Sequence, residues 1–328
     1  MEISPLLSVI VPTYNQEKYI EETLAGIAKQ KVNFQVEVLI GDDCSTDNTG
    51  AICKAFSSEN PYINFCYIYN DKNMGLIGNW VNLLKKARGT FIAVCEGDDY
   101  WTDENKLQSQ VDLLRADETI SICFHQARYF NDEDNTIIKI SPIQWKSIST
   151  IEDLALGNFI DNLTVVCRNY SKNGIYPDWV FQNNYPVPDY IWHMYNAQFG
   201  NIAFIQKCMA NYRVRKNSLW SSVNRTKQIE KVATILIPAI KKNINNNIIY
   251  LNLNEQILNA LYNYQLNSSL SEEEMNDLNL KCLSEISSFQ TYNYFQKILQ
   301  QKDSVIEGYK NSTSYRIGNF LIKRIKRK

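Results

Sequence analysis

The order of apolar and polar positions in the first third of the chain alternates between two patterns. Residues 7–11 form a β-branched apolar run closed by Pro12, and residues 16–29 then place Ile20, Leu24 and Ile27 on one helical face. The alternation continues with predicted strands at 36–40, 63–69 and 90–95, and with predicted helices at 45–56, 77–87 and 106–114. Strands that alternate with helices predict an α/β domain whose mostly parallel sheet is covered by helices on both faces.

Beyond this region, strand-like segments continue and then give way to a helical pattern. Apolar runs predict further strands at 120–124, 136–140, 163–167 and 202–205. We therefore predict that residues 1–222 form one domain. From residue 227 the sequence is helical in pattern and rich in asparagine, so residues 223–305 are predicted to form a helical region, with Ser271 capping one helix.

Positive charge is concentrated in a C-terminal tail, predicted at residues 306–328. Residues 315–328 hold six basic residues and no acidic one, which leaves −7 for the remainder once those six are subtracted from the net charge of −1. Apolar residues recur there at helical spacing, namely Ile317, Phe320, Leu321 and Ile325. A basic amphipathic helix of this kind can lie on an anionic membrane surface. The alternative is a solvated tail whose apolar residues dock on the parent domain.

The composition is that of an ordinary globular protein, with 45% hydrophobic and 21% charged residues. Because no apolar run approaches the roughly 18 residues of a membrane span, and the N-terminus lacks a signal-like pattern, we expect a cytoplasmic protein. The eight cysteines include no CxxC pair, which argues against zinc and against a disulfide framework. With only His125 and His193 present, acid–base chemistry should rest on carboxylates. Since the chain outside the tail is acidic, we expect no nucleic-acid partner.

Carboxylates follow two predicted strands at the sheet edge where open α/β sheets bind ligands. Glu96, Asp98 and Asp99 follow the strand at 90–95, and Asp42 and Asp43 end the strand at 36–40. Like charges this close repel unless a cation neutralises them, and hard oxygen ligands favour Mg²⁺ or Mn²⁺ together with substrate phosphates. The alternative is that these aspartates form turns and cap the helices that follow.

Asp189 stands in an aromatic segment, residues 185–192 (YPVPDYIW). Proline favours a turn there, and the aromatic side chains are suited to wall a pocket. A carboxylate in such a pocket can act as a general base on an acceptor hydroxyl group. The alternative is that Asp189 caps a helix directly after Pro188.

Three ordered motifs resemble glycosyltransferase family 2: residues 8–15 (SVIVPTYN), 41–49 (GDDCSTDNT) and 96–101 (EGDDYW). Similarity covers about residues 6–222, and the SYRIG ending at 314–318 resembles tails of bacterial members that build surface polysaccharides. The resemblance implies the GT-A fold, a nucleotide-binding, Rossmann-like mixed sheet flanked by helices, here with a C-terminal helical extension.

The same resemblance implies an inverting, metal-dependent glycosyltransferase. The donor would be a UDP-, GDP- or dTDP-linked sugar, and the acceptor a glycan or lipid-linked oligosaccharide. A peripheral location on the inner face of the plasma membrane is predicted from the basic tail at 315–328. Asp189 would be the catalytic base, and Glu96, Asp98 and Asp99 would bind Mn²⁺ or Mg²⁺. The nucleotide sugar would be bound by Pro12, Thr13, Tyr14, Asn15, Glu17, Asp42, Asp43, Asp98 and Arg215.

Two positions depart from the family pattern. Glu96 stands where many members carry aspartate, although the longer carboxylate still reaches a metal directly or through water. Arg215 follows Tyr212, Arg213 and Val214 where related enzymes often have histidine, and a fixed cation there can contact a phosphate.

Two other functions compete with this interpretation. A nucleotidyltransferase that makes sugar nucleotides also uses such a sheet and acidic metal ligands, but the expected glycine-rich basic loop is missing. A non-catalytic partner protein that tethers a glycan-assembly complex would keep the fold, and the intact Asp98, Asp99 and Asp189 argue against it.

Overall fold

The computed structural model describes residues 4–171, 174–216, 223–267 and 271–284, with residues 286, 290, 293, 297 and 300. The chain divides into two compact units, residues 1–252 and 253–328. The domain boundaries predicted after residues 222 and 305 remain predictions, and the predicted tail at 306–328 lies outside the described residues.

A mixed sheet forms the centre of the first unit. Its described strands are β1 (Leu7–Thr13), β2 (Val36–Asp42), β3 (Asn64–Tyr69), β4 (Phe91–Val94), β5 (Tyr100–Trp101), β6 (Ile120–Asn131), β7 (Ile137–Ser141), β8 (Ile148–Ser149), β9 (Val166–Arg168) and β10 (Asn201–Val214). The strand order is β3-β2-β1-β4-β9-β6-β10-β5, with β7 beside β6 and β8 beside β10.

Helices flank this sheet and continue into the second unit. In the first unit they are α1 (Ile20–Ala28), α2 (Thr49–Glu59), α3 (Gly75–Lys86), α4 (Lys106–Ala116), α5 (Ile151–Leu154), α6 (Pro188–Asn196), α7 (Arg225–Lys231) and α8 (Ile237–Asn243). Helix α9 (Asn247–Asn267) begins in the first unit and ends in the second, which also contains α10 (Glu272–Leu283). Ser271 caps α10 through a capping box with Glu274, as its sequence predicts.

The strand directions bring one set of strand ends to one edge of the sheet. Strand β1 is parallel to β2 and β4, and β6 is parallel to β10. Strand β9 is antiparallel to both β4 and β6, so it joins two parallel halves that point the same way. The carboxyl ends of β1, β2, β4, β6 and β10 therefore share an edge, and the predicted mixed α/β sheet is confirmed.

The core lies on both faces of the central strands. All seven residues of β1 are buried, because a parallel strand covered on both faces has no solvent side. Helix α1 packs Leu24 and Ile27 into this core, and α4 adds Val111 and Leu114. Each fully buried aliphatic side chain of this kind contributes about 1.5 to 3 kcal/mol to folding. The core thus fixes the strand ends that carry the candidate site.

Four elements differ clearly from their predicted bounds. The strand predicted at 163–167 is shorter, since residues Asn162–Thr164 form a 3-10 helix and β9 covers only Val166–Arg168. Helix α2 begins at Thr49 rather than after a cap at 45–47, since Cys44 has a positive φ of 65° and Asp47 accepts the Thr49 N–H. Strands β6 and β10 run well beyond the apolar runs at 120–124 and 202–205, because they continue through polar residues such as Gln126 and Lys207.

No described helix combines the length and the apolar character that crossing a bilayer requires.

Candidate active site

Two loops at the carboxyl edge, residues 14–19 after β1 and residues 43–48 after β2, are joined by hydrogen bonds. Asn15 Oδ1 accepts a hydrogen bond from Thr46 N at 2.8 Å, and Glu17 Oε2 accepts one from Asn48 N at 2.9 Å. The predicted nucleotide-binding residues Asn15 and Glu17 therefore use their side chains to hold the loops together. Tyr14, with 45% of its surface exposed, presents its ring to solvent instead.

Asp42 and Asp43 are both buried but have different partners. Asp42 Oδ1 accepts from Ser45 N at 2.9 Å, and its Oδ2 accepts from the Tyr67 hydroxyl at 2.6 Å. Asp43 uses only Oδ1 in the hydrogen bonds of the described residues, from Asn70 Nδ2 at 3.0 Å and Met74 N at 2.8 Å. Both carboxylate oxygens of Asp42 are thus used in hydrogen bonds that hold the loop in place, whereas Asp43 Oδ2 takes part in no hydrogen bond within the described part of the chain.

Gly97 brings the end of β4 against the end of β1. Its N–H donates to the Pro12 carbonyl at 3.1 Å. A Cβ at this position would lie 2.7 Å from Thr13 Oγ1 and 2.4 Å from Gln16 Oε1, so only glycine permits this approach. The close contact sets Glu96 and Asp98 directly beside the buried Pro12 and Thr13.

Glu96 is a partly buried carboxylate. Its Oε1 accepts a hydrogen bond from Asn162 Nδ2. Burial raises the pKa of Glu96 to about 7, with smaller contributions from the charges of Asp98 and Asp189. Of the buried oxygens that lack a hydrogen-bond partner among the described residues, three belong to Glu96 and its neighbours, namely Glu96 Oε2, Asp161 Oδ2 and Asn162 Oδ1. Oxygens left in this way are suited to a cation or to hydroxyl donors of a ligand.

Asp98 is paired with a cation. The guanidinium group of Arg215 forms an ion pair with Asp98 Oδ2, and it lies 5.3 Å from the ring centre of Tyr19. The structure therefore brings together Asp98 and Arg215, which are 117 positions apart in the sequence.

Asp99 points into the protein, with 4% of its surface exposed. Its Oδ1 accepts the backbone N–H of Arg213 at 2.8 Å. Burial, together with the neighbouring charges of Asp98 and Glu96, raises the pKa of Asp99 well above its usual range. Through this hydrogen bond the Asp99 carboxylate holds strand β10 in place. The predicted metal-binding role of Asp99 stays a prediction.

Asp189 lies in the first turn of α6, after Pro188 at the first helical position. Val187 rather than Asp189 is the N-cap, so the alternative helix-capping role is not the one observed. Asn158 Nδ2 lies 3.5 Å from Asp189 Oδ2. Burial raises the pKa of Asp189 to about 6.

Asp161 is an acidic residue that the sequence analysis missed. Its Oδ1 accepts a hydrogen bond from the hydroxyl group of Tyr129. The ring of Tyr129 stacks on that of Tyr212, with 4.6 Å between the ring centres. Burial raises the pKa of Asp161 to about 6, and the charge of Asp189 adds to the shift. The only sequence signal for this position is a polar Asp-Asn pair in the apolar run at 160–167.

The candidate ligands for a divalent cation are the carboxylates at this edge of the sheet. Within the described ranges, no group of three or more His, Cys, Asp or Glu side chains is arranged to hold a metal ion. Glu96 and Asp98 nevertheless provide two carboxylates at one turn, and Mg²⁺ sites that include substrate phosphates commonly use one or two. The chemistry of these donors fits a cation that is shared with a diphosphate.

The family description "Glycosyl transferase family 2" matches residues 8–175, about half of the chain. An uncharacterized protein of Mycobacterium tuberculosis is 36% identical over 216 residues, which are 66% of this chain and 61% of that protein. The chain thus spans about three fifths of the length of this relative. The poly(ribitol-phosphate) beta-N-acetylglucosaminyltransferase TarS of Staphylococcus aureus is 41% identical over 99 residues, 30% of this chain and 17% of TarS.

Two solved structures share the fold. TarS 1–349 of S. aureus in complex with UDP-GlcNAc has a TM-score of 0.61 at 20% identity, covering 93% of this chain and 91% of that one. The mannosyltransferase PcManGT of Pyrobaculum calidifontis, in complex with GDP-Man and Mn²⁺, has a TM-score of 0.55 at 16% identity, covering 94% and 88%.

Proposed function

The chain belongs to glycosyltransferase family 2, and on that premise we propose that it transfers a sugar from a nucleotide-diphosphate sugar to a glycan or lipid-linked acceptor in surface polysaccharide synthesis. The observation that carries the proposal is the convergence of Glu96, Asp98, Asp161 and Asp189 at one edge of the sheet, beside the loops after β1 and β2. The TarS relative acts on a ribitol-phosphate polymer by its name, which supports an acceptor of the cell surface.

The nucleotide of the donor is proposed to bind at the loops after β1 and β2. Tyr14 offers an exposed ring for the base, with Pro12 and Thr13 forming the floor beneath it. Of the two predicted aspartates, Asp43 is assigned to the base, because both oxygens of Asp42 hold Ser45 and Tyr67. Asn15 and Glu17 support this site by holding the loops rather than by touching the nucleotide.

Asp189 is proposed to act as the general base of an inverting displacement. The acceptor hydroxyl oxygen attacks the anomeric carbon from the face opposite the diphosphate, and the new C–O bond forms as the bond to the diphosphate oxygen breaks. The hydroxyl proton passes to the Asp189 carboxylate, and the bonding electron pair leaves with the nucleoside diphosphate. A pKa of about 6 makes Asp189 a stronger base than an ordinary aspartate while leaving it ionised at neutral pH.

Negative charge on the leaving diphosphate is proposed to be neutralised by a divalent cation held at Glu96 and Asp98. These carboxylates would hold Mn²⁺ or Mg²⁺ together with the diphosphate, and the bound ion would stabilise the departing negative charge. Arg215 lies at the same turn and can contact a phosphate oxygen. Asp99 is assigned a supporting role, since it holds the Arg213 backbone.

Binding of the tail at 315–328 to an anionic membrane is proposed to place the enzyme on the inner face of the plasma membrane, where a lipid-linked acceptor would be presented. The basis is the six basic residues of this segment, set among apolar residues at helical spacing.

The function is tested by nucleoside diphosphate release from UDP-, GDP- and dTDP-linked sugars with Mn²⁺ or Mg²⁺ and without acceptor. We expect slow release from one donor, its loss on adding EDTA, and a fall of about 100-fold or more in Asp98→Asn. The control Asp112→Asn changes an exposed aspartate on α4 and should release at the wild-type rate. If no donor is hydrolysed or bound with metal present, the catalytic proposal fails and the tethering protein becomes the better interpretation.

A further inference from the structure

A wide groove lies beside the candidate base in the first unit. Its volume is about 810 Å³, and its walls come from the segment between β7 and α5 and from the turn after α5. Ligand sites of proteins commonly enclose about 300 to 1,000 Å³. The residues that matter for its chemistry are Gln144, Trp145, Lys146, Leu156, Asn158 and Phe159.

One wall of the groove is a fixed aromatic surface. Trp145 Nε1 donates to Ser149 Oγ at 3.0 Å, and its ring lies 4.5 Å from the ring of Phe159. Phe159 in turn packs against Phe124, a fully buried side chain of β6. Because hydrogen bonding and packing already hold the indole, a ligand that stacks on it loses little side-chain entropy on binding.

The polar groups of the groove favour a neutral ligand. Lys146 Nζ forms an ion pair of 2.5 Å with Asp153 Oδ2, so the positive charge of the wall is already neutralised. Gln144 and Asn158 add exposed amide groups, which can donate and accept hydrogen bonds. A sugar has an apolar ring face, which can stack on the aromatic wall, and hydroxyl groups around its edge, which can form hydrogen bonds with the nearby amides.

The groove reaches the candidate base. Asn158 lines the groove and also places its Nδ2 3.5 Å from Asp189 Oδ2. The hydroxyl of Tyr190, next to Asp189, donates to the Leu154 carbonyl at 2.9 Å, which ties α6 to the helix on the groove wall. The nucleotide loops follow β1 and β2 in one half of the sheet, whereas this wall adjoins β6 and β10 in the other.

We propose that this groove binds the acceptor as a neutral carbohydrate, with a sugar ring stacked on Trp145 and the reacting hydroxyl next to Asn158 and Asp189. The proposal rests on the proposed function, and it adds the chemical class of the acceptor and the place where it binds. A polymer can enter along the groove and present its end to Asp189, while Trp145 holds a sugar further back.

The test compares nucleoside diphosphate release with and without neutral saccharides. The probes are the methyl β-glycosides of glucose, galactose and N-acetylglucosamine and their β-linked disaccharides, at millimolar concentration, with glycerol phosphate as an anionic comparison. The variants are Trp145→Ala, Trp145→Phe and, as a matched control, Trp179→Ala, since Trp179 is also half-buried and packs on Tyr195 outside the groove.

We expect at least one saccharide to stimulate release by the wild type. In Trp145→Ala the KM for that saccharide should rise about tenfold while release without acceptor stays unchanged, and Trp145→Phe should restore most of the affinity. The groove is the wrong site if Trp145→Ala responds like the wild type, if only glycerol phosphate stimulates, or if no probe does. Absence of donor hydrolysis in the wild type would instead count against the proposed function itself.

Discussion

Single residues at the candidate site carry an electrostatic cost in the folded state. Burial raises the pKa of Asp189 and of Asp161 to about 6. A raised carboxyl pKa means that the folded state favours the protonated form, so ionisation of these groups lowers the free energy of unfolding. The cost of Asp189 appears between its ordinary pKa and about 6 and is fully present above pH 6. Sites that keep such groups commonly exchange stability for activity.

Asp189→Asn is expected to abolish transfer and to stabilise the protein. Loss of the base should lower kcat by about 100-fold or more. Removal of a disfavoured charge should raise the free energy of unfolding at pH 7.5 by about 1 to 2 kcal/mol, and this gain should disappear near pH 4, where wild-type Asp189 is protonated.

Urea denaturation at the two pH values measures the gain, and Asp178→Asn, at an exposed aspartate, should show none. A variant with full transfer activity would remove Asp189 from the mechanism.

The pH profile of kcat for transfer is expected to have an acid limb with a midpoint near 6. Below that pH the Asp189 carboxylate is protonated and cannot accept the hydroxyl proton, so the rate should fall tenfold per pH unit. Measurement at several Mn²⁺ concentrations separates Asp189 from Glu96, whose protonation competes with the cation. A midpoint near 4, or one that moves with Mn²⁺ concentration, would argue against Asp189.

The sequence predicted candidate site residues where they lie within motifs, but it could not predict the hydrogen-bond partners that the tertiary structure provides. It left Asp42 and Asp43 equivalent, and only the contacts with Ser45 and Tyr67 separate them. Asp161 was missed because no neighbouring residue in the sequence marks it as part of a site, and its carboxylate comes close to Asp189 only after folding.

At the level of elements, Arg213 of β10 connects several parts of the first unit. Its side chain is 8% exposed and forms ion pairs with Glu22 of α1 at 2.6 Å and with Asp132, next to the end of β6, at 2.9 Å. Its Nε also donates to the Asp98 carbonyl at 2.9 Å. A planar group with five donors suits such a junction. The position of the acidic turn therefore depends on a residue from the far end of the domain.

Arg213→Met should destabilise the protein by about 2 to 4 kcal/mol, since it leaves Glu22, Asp132 and the Asp98 carbonyl without their donor. Arg213→Lys should recover only part of this loss, because one ammonium group cannot reach all three acceptors. Urea denaturation provides the measurement, with Arg128→Met on the neighbouring strand as the exposed control, expected to change stability by less than about 0.5 kcal/mol. Equal effects of the two substitutions would contradict the role of Arg213.

The bounds of strands were predicted well where nearly every residue of the strand is buried, and less well where buried and exposed residues are mixed. Strands β1, β2 and β4 appear as apolar runs, because parallel strands buried on both faces contain few polar residues. Strands β6 and β10 were predicted too short, since their later residues alternate or carry polar side chains that the edge of the sheet accommodates. The late start of α2 follows from contacts between two loops, which a single segment does not encode.

On the scale of the whole molecule, the candidate site residues all lie in the first unit, residues 1–252. The charge of the chain is distributed differently, with six basic residues at positions 315–328 against a net −7 elsewhere. Site and basic tail are thus separate parts of the sequence, and they can be tested separately.

Deletion of residues 315–328 is expected to abolish binding to vesicles of phosphatidylglycerol and phosphatidylcholine while donor hydrolysis continues at the wild-type rate. Each basic residue near an anionic surface contributes about 1 kcal/mol, so six are sufficient for stable binding at low salt. Co-sedimentation with and without high salt measures this, and vesicles of phosphatidylcholine alone are the control. Binding that persists after the deletion would place the membrane contact elsewhere.

If a divalent cation binds at Asp98 as proposed, the ion pair between Arg215 and Asp98 would make that binding an exchange of one cation for another. A divalent ion that bound the Asp98 carboxylate would displace the Arg215 guanidinium group, so its affinity for the protein alone would be reduced by the strength of that ion pair. The displaced Arg215 would then be available to form an ion pair with the proposed donor diphosphate. Coupling between two ligands is reciprocal, so each should raise the affinity of the other. The enzyme would then hold ion and nucleotide together or neither, and departure of one would favour departure of the other.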